Sequence, residues 1–203
     1  MTLTVPYITA WTGERTLPAQ VILTPNGQGI RYADETLTDR DHNGILWTRA
    51  ESRPGLGKPK FGEIHSLRQR RVMRHLLCQV CAGLPDRNNS GVLWLMPDYR
   101  GDWPAWPNGM ATDDAPVCLP CAHTSVRQCP RLRRDHVLVR SKSHPIVGVR
   151  GIKYYVSGMN LTNTQEVTVA QQQAAQNWTV AHQLVRELLQ CRVIGTIDDI
   201  PQP

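Results

Sequence analysis

The rhythm of apolar and polar positions divides the chain into stretches of different character. Across residues 1–50 the runs VPYITAW, AQVILT, GIRY and GILWTR are rich in β-branched and aromatic residues and are separated by the turn formers of PNGQG and DHNG. Short strands joined by tight turns have this signature, and a small antiparallel β unit is the expectation. Residues 51–62, ESRPGLGKPKFG, hold two Pro and three Gly among basic side chains. Pro removes a backbone donor and Gly loses the most backbone freedom on folding, so this segment predicts a basic loop. IHSLRQRRVMRHLL then places Ile64, Leu67, Met73, Leu76 and Leu77 near one face of a helix and spreads Arg68, Arg70, Arg71 and Arg74 over the remainder.

In the last third, HVLVR and HPIVGVRGIKYYVSG alternate through Val147, Val149, Ile152, Tyr154 and Val156, which predicts two strands with an irregularity at Gly151. From Asn163 the apolar positions are Val167, Ala170, Ala174, Trp178, Ala181, Val185 and Leu188. A spacing of three or four held over this length predicts a long amphipathic helix. Asn163 as N-cap, Glu166 as its capping partner and Gly195 past the end fit that helix, and IDDIPQP closes the chain as a loose tail.

Between these regions lies the chemistry most specific in the sequence. Of six cysteines, four form two CxxC pairs, Cys78/Cys81 and Cys118/Cys121. Two such pairs supply the four soft ligands of a structural zinc ion, because each pair bends its backbone so that both sulfurs face one centre. Cys78-Gln-Val-Cys81-Ala-Gly83 reads as a zinc knuckle, GVLWLMP as a following hairpin, and Cys118-Leu-Pro-Cys121 as the start of a helix through AHTSVRQC. That order resembles a treble-clef zinc site over residues 76–130. The expected fold class is therefore α+β, with an N-terminal antiparallel β unit, a central treble-clef-like zinc module with four cysteine ligands and a long C-terminal amphipathic helix. The expected boundaries are 1–62 for the β unit with its basic loop, 63–135 for the zinc module and 136–203 for strands plus helix, in one compact unit. Cys129 and Cys191 remain as buried small apolar residues. The start MTLTVPYITAW lacks a basic n-region and an apolar core, and no stretch reaches the roughly 18 apolar residues of a membrane span. A cytoplasmic location follows as an expectation, and there thiols stay reduced and favour metal over disulfides.

Charge changes the picture further. The chain of 203 residues has a formal charge of +6, and the excess is concentrated. Residues 49–75 carry Arg49, Arg53, Lys58, Lys60, Arg68, Arg70, Arg71 and Arg74 against Glu51 and Glu63, and residues 127–153 carry eight more cations against Asp135 alone. A basic centre attached to an acidic remainder implies an anionic partner, DNA or RNA, with two solvated faces as the alternative. Arg68, Arg70, Arg71, Arg74, Arg131, Arg133 and Arg134 are the candidate phosphate contacts. The 36 residues between the two cysteine pairs contain Trp103 and Trp106 beside prolines, either an exposed aromatic platform or a loop pinned onto a core. His75 and His123 are near the cysteines but are not needed to complete four ligands.

A catalytic role has less behind it. His-metal nucleases built on treble clefs need a histidine on the hairpin after the knuckle, and no His lies between Cys81 and Cys118. The acidic group Asp34, Glu35, Asp39, Asp41 with His42 can ligate a divalent ion or act as acid and base, particularly if His65 or His136 joins it, or it can be a polar turn around Asn43-Gly44. GIRYADE, DRDHNGILW, RQRRVMRHLLCQVC and VCLPCAHTSVRQCPRL together resemble a group of zinc-binding, treble-clef-like proteins of high-GC Gram-positive bacteria and their mobile elements, over residues 5–155. The nineteen Arg against four Lys suit such a coding background. That resemblance implies no activity. The sequence thus points to a zinc-stabilised nucleic-acid-binding protein without catalysis. The alternatives are a protein-interaction or regulatory module, with a partner or a homodimer formed through the C-terminal helix, and an enzyme using the acidic N-terminal cluster.

Overall fold

The computed structural model describes residues 3–158 and 160–200. Its elements in chain order are β1 (Thr9–Trp11), β2 (Val21–Leu23), β3 (Ile30–Tyr32), β4 (Leu46–Trp47), β5 (Pro59–Ile64), α1 (Ser66–His75), β6 (Arg87–Asn88), β7 (Gly91–Met96), β8 (Met110–Thr112), α2 (Leu119–Gln128), α3 (Pro130–Arg134), β9 (Val137–Ser143), β10 (Ile146–Ser157), β11 (Asn160–Ala170) and β12 (Thr179–Gly195). Among the described residues eight strands share one sheet, in the order β11-β10-β12-β9-β7-β6, with β4 and β8 also paired to β12. All of these pairings are antiparallel except that of β4 with β12.

The fold is therefore β-rich, which corrects the expected α+β class, and the long C-terminal helix does not exist. Its seven apolar positions fall in β11, in a 3-10 turn at Ala174–Trp178 and in β12. The spacing misled because β12 is covered on both faces: Thr179, Val180, Ala181, Gln183, Leu184, Val185, Arg186 and Leu188 are all buried. A central strand of this kind loses the period-two alternation that marks a half-exposed one. The β-branched residues Thr162, Val167, Thr168, Val169, Thr179 and Val180 favour extended backbone. The polar run Gln171–Gln173 breaks the segment, with Gln172 turning at φ 61°. Asn163 sits inside β11 opposite Tyr154 rather than at a helix cap.

The N-terminal block does not close as a unit either. Only β2 and β3 pair with each other, whereas β1 pairs with β5 and β4 adds to the main sheet beside Val180 and Ala181. The basic loop ends in β5, where Pro59 stands at the first strand position, a place Pro tolerates. The expected irregularity at Gly151 is present as a register shift between Arg150 and Gly151 against β12. A side chain there would collide with the Val180 carbonyl, so glycine is required by close approach.

Helix α1 lies on β12. Val72 and Met73 are completely buried and join Leu184 and Ala181 in one apolar cluster. Gln69 is buried between them and satisfied: its amide donates to the Asp113 and Leu184 carbonyls and its oxygen accepts from the Leu184 amide, at 2.8–3.0 Å. The Arg186 guanidinium donates to the Met73 carbonyl in the last turn of α1, where a cation meets the negative end of the helix, and also to the His144 carbonyl.

Strand β7 fixes the surroundings of the cysteines. Its Leu93 and Leu95 pack with Val117, Ala122 and Val126 of the α2 side, while Val92, Trp94 and Met96 pack with Trp106 on the other face. The cysteine-bearing segment is thus continuous with the main sheet rather than a separable module.

Candidate metal centre

The first cysteine pair is set by the end of α1. Leu76 takes left-handed backbone at φ 51°, the chain reverses, and the Cys78 amide donates to the Gly83 carbonyl while Ala82, at φ 59°, donates back to the Cys78 carbonyl. This tight turn aims both sulfurs the same way. The second pair begins α2, with Cys118 as N-cap and Cys121 in the first turn. Backbone bonds bring the two together: Gln79 donates to Pro116, Asp86 to Val117 and Val117 to Leu93, each at 3.0 Å.

The result is a cluster in which the four sulfurs of Cys78, Cys81, Cys118 and Cys121 all lie within 4.8 Å of one another, and it can hold a metal ion. The Cys81 and Cys118 Sγ atoms are 3.8 Å apart although 37 positions separate them in sequence. Cys78 is fully buried, Cys118 and Cys121 half-buried and Cys81 exposed, so the centre opens to solvent on the Cys81 side.

The electrostatics suit four thiols gathered around a cation. Burial pushes the Cys78 thiol up to about 11, against the opposing amides of Cys118, Cys81 and Val80. Burial also raises Cys121, and hydrogen bonding and charge repulsion from its neighbouring cysteines add to it. At Cys81 burial acts upward too, but the Gly83 amide and hydrogen bonds from the other three cysteines outweigh it and the thiol is lowered. Without a cation, crowding disfavours several thiolates; a metal ion reverses that balance. His75 is exposed and His123 is buried in α2, and neither belongs to the cluster.

The candidate phosphate contacts are not equivalent. Arg68 is buried and bound to both Glu14 carboxylate oxygens, the Thr9 carbonyl and Ser52. Arg70 is half-buried with its guanidinium 4.2 Å from the Trp47 ring centroid, and Arg74 pairs with Asp41 at 3.2 Å. Arg71 is exposed beside the Tyr7 hydroxyl at 3.3 Å. Arg131, Arg133 and Arg134 are all exposed on α3, where Arg131 donates to the Tyr99 hydroxyl at 2.7 Å and Arg133 to the Arg127 carbonyl at 2.9 Å.

The acidic cluster is spent on structure. Asp39 is buried between the Arg49 guanidinium and Thr36, Asp34 holds the other side of Arg49, and Glu35 binds Arg40. Asp41 accepts from the Asn43 and Ile45 amides and from the Trp47 indole, a polar turn feeding β4. His136 accepts from the Ile197 amide and His65 lies against the Glu51 carbonyl, so neither pairs with these aspartates. In the insertion, Trp106 is buried against β7 and Trp103 donates to the Asn108 carbonyl, which is the pinned loop rather than an open platform. Cys129 is the N-cap of α3 and Cys191 sits in β12, each half-buried.

Sequence reasoning missed Glu14 and its pairing with Arg68, because 54 positions separate the partners and no local pattern links them. No helix among the described residues is long and apolar enough to cross a membrane. Compared with family models, curated proteins and solved structures, the chain matches none.

Proposed function

We propose that the four cysteines hold one structural zinc ion and that the protein is a zinc-stabilised, non-catalytic nucleic-acid-binding protein. The convergence of four sulfurs from two distant segments carries the metal part of this reading. A tetrahedral zinc with Zn–S bonds of about 2.3 Å has sulfurs about 3.8 Å apart, the separation of Cys81 and Cys118. Four thiolates leave no open position for water or substrate, so such an ion acts as a clamp that fastens the start of α2 to the 78–83 turn. Helix α3 follows that clamped helix directly and exposes three arginines, and Arg71 adds a fourth exposed guanidinium. These four, rather than Arg68, Arg70 and Arg74, are the phosphate contacts supported by exposure. The experiment is binding of duplex and single-stranded DNA and of RNA over a salt series. The reading expects affinity to fall steeply with salt and the salt slope to flatten when Arg131, Arg133 and Arg134 are replaced by Gln. Binding that ignores either change would refute it.

A further inference from the structure

The main sheet ends differently on its two sides. One outer strand is β6, two residues long, with Arg87 and Asn88 both exposed. The other is β11, eleven residues, NLTNTQEVTVA, without Pro, Lys or Arg. Short length, proline and cations are the usual means by which an outer strand avoids pairing with another chain, and β11 has none of them. Among the described residues no strand pairs with its outer side.

The straight part of this edge is residues 166–171. A register slip against β10 between Ile152 and Tyr154 ends it on one side, and Gln172, at φ 61°, ends it on the other. The Gln171 amide donates to the Val147 carbonyl at 2.7 Å, so these two residues are a hydrogen-bonded pair. In an antiparallel ladder such pairs alternate with non-bonded ones, and the register Ala170–Gly148, Val169–Val149, Thr168–Arg150 runs on without a break to Glu166–Ile152. Val169 and Val167 are therefore bonded to β10, whereas Glu166, Thr168 and Ala170 turn their N–H and C=O groups outward.

The side chains select the partner. Val169 is buried in the apolar cluster of Val149 and Leu184, and Val167 is half-buried at its margin. Glu166, Thr168 and Ala170 are exposed on the opposite face. Antiparallel pairing of two copies about Thr168 sets Val167 of each against Val169 of the other. That pair is non-bonded, where side chains lie closest, so Val167 becomes covered. Thr168 meets Thr168 of the second copy, a favourable cross-strand pair. Glu166 faces Ala170, so the one charge of β11 meets no like charge, and its carboxylate is already held within its own chain by Arg150 and by His182 at 2.6 Å.

We infer that residues 166–170 of β11 form an isologous interface through which two copies of this chain join their sheets edge to edge, with Thr168 on the twofold axis. Pairing stops at the dimer because the far end of each sheet is the short β6 with its exposed Arg87. A contact made by one short strand is small, so the dimer forms and dissociates with concentration. It is independent of the nucleic-acid reading.

The full-length protein, free of nucleic acid, is followed by sedimentation velocity from about 1 µM to 1 mM, with hydrogen exchange at both limits. The inference expects the mass to rise from one chain towards two, and the Thr168 and Ala170 amides to exchange more slowly as it does. Thr168→Pro removes the central outward donor and leaves the ladder to β10 intact, a place where an outer strand tolerates proline. It should weaken association by at least about tenfold. Thr168→Lys opposes two cations on the axis and should weaken it too, less so at high salt. Should Thr168→Pro fail to fold, Thr168→Lys decides. A monomer over the whole range would leave this edge to a strand of another protein and overturn the inference. A dimer unmoved by these substitutions would put the interface elsewhere and overturn it equally.

Discussion

The two ends of α1 are secured by different chemistry. At its C-terminal end the chain passes into a four-sulfur cluster whose members come from short CxxC spacings. At its N-terminal side Arg68 reaches back 54 positions to Glu14, and elsewhere in the N-terminal block Asp39 and Arg49 form a second pair of this kind. A metal ion held there would concentrate stability in one centre that forms or fails as a whole. The ion pairs distribute it among partners that fail one at a time, and each buried pair matters chiefly because breaking it strands a charge.

The largest difference is expected on losing a metal ligand. Cys118→Ser or strong chelation should melt α2 and the 78–83 turn, since structural zinc contributes about 10–16 kcal/mol in small domains. Hydrogen exchange localises the loss, and the β10–β11–β12 amides should keep their protection. Glu14→Gln comes next. It strands the buried Arg68 guanidinium and should cost about 3–5 kcal/mol by denaturant unfolding, whereas the double change Glu14→Gln with Arg68→Met should recover much of it.

Acid probes the same pair. Burial of Glu14 acts upward, but the Arg68 guanidinium and the Arg53 and Trp11 amides outweigh it and hold the carboxyl near 2, below its ordinary 4.5. The Arg49 guanidinium, helped by the Thr36 amide, likewise lowers Asp39 to about 2 from 3.8, against its burial. A carboxyl lowered on folding adds stability that is complete above its ordinary value and is lost as pH falls through the folded one. Stability should therefore decline from about pH 4.5 towards pH 2, and the decline should be shallower in Glu14→Gln, as acid titration at fixed denaturant would record. The smallest effects belong to the surface. Replacing Arg131, Arg133 and Arg134 by Gln should change stability by less than about 0.5 kcal/mol, and Arg70→Ala, which removes the guanidinium over Trp47, by about 1 kcal/mol.

The same contrast explains what could be read from the sequence. The cysteine cluster was legible because metal spacing is local and the helix beginning at Cys118 follows from Pro120 and the run AHTSVRQC. The strands around Val149 and the Gly151 irregularity were legible, and helix α1 was located, but its buried face was not: Leu67 is exposed, Ile64 ends β5, and Ser66, Arg68, Gln69, Val72 and Met73 face the core. β12 was not legible, because burial on both faces erased alternation and left apolar residues three and four apart by coincidence. Arg68 lay in a visibly basic helix, yet its role depended on a carboxylate in a distant turn. The acidic residues 34–41 drew attention by density, while their partners Arg40, Arg49 and Arg74 were spread over more than thirty positions.

The central claim is that a single metal ion fastens the start of α2 to the 78–83 turn. Its most direct measurement is elemental analysis of the purified chain and of Cys118→Ser, paired with hydrogen exchange across residues 78–128. The account predicts one zinc per chain, none in the variant, and loss of amide protection confined to the 78–83 turn and α2. A metal-free wild-type chain with those amides protected as strongly as β12 would contradict it.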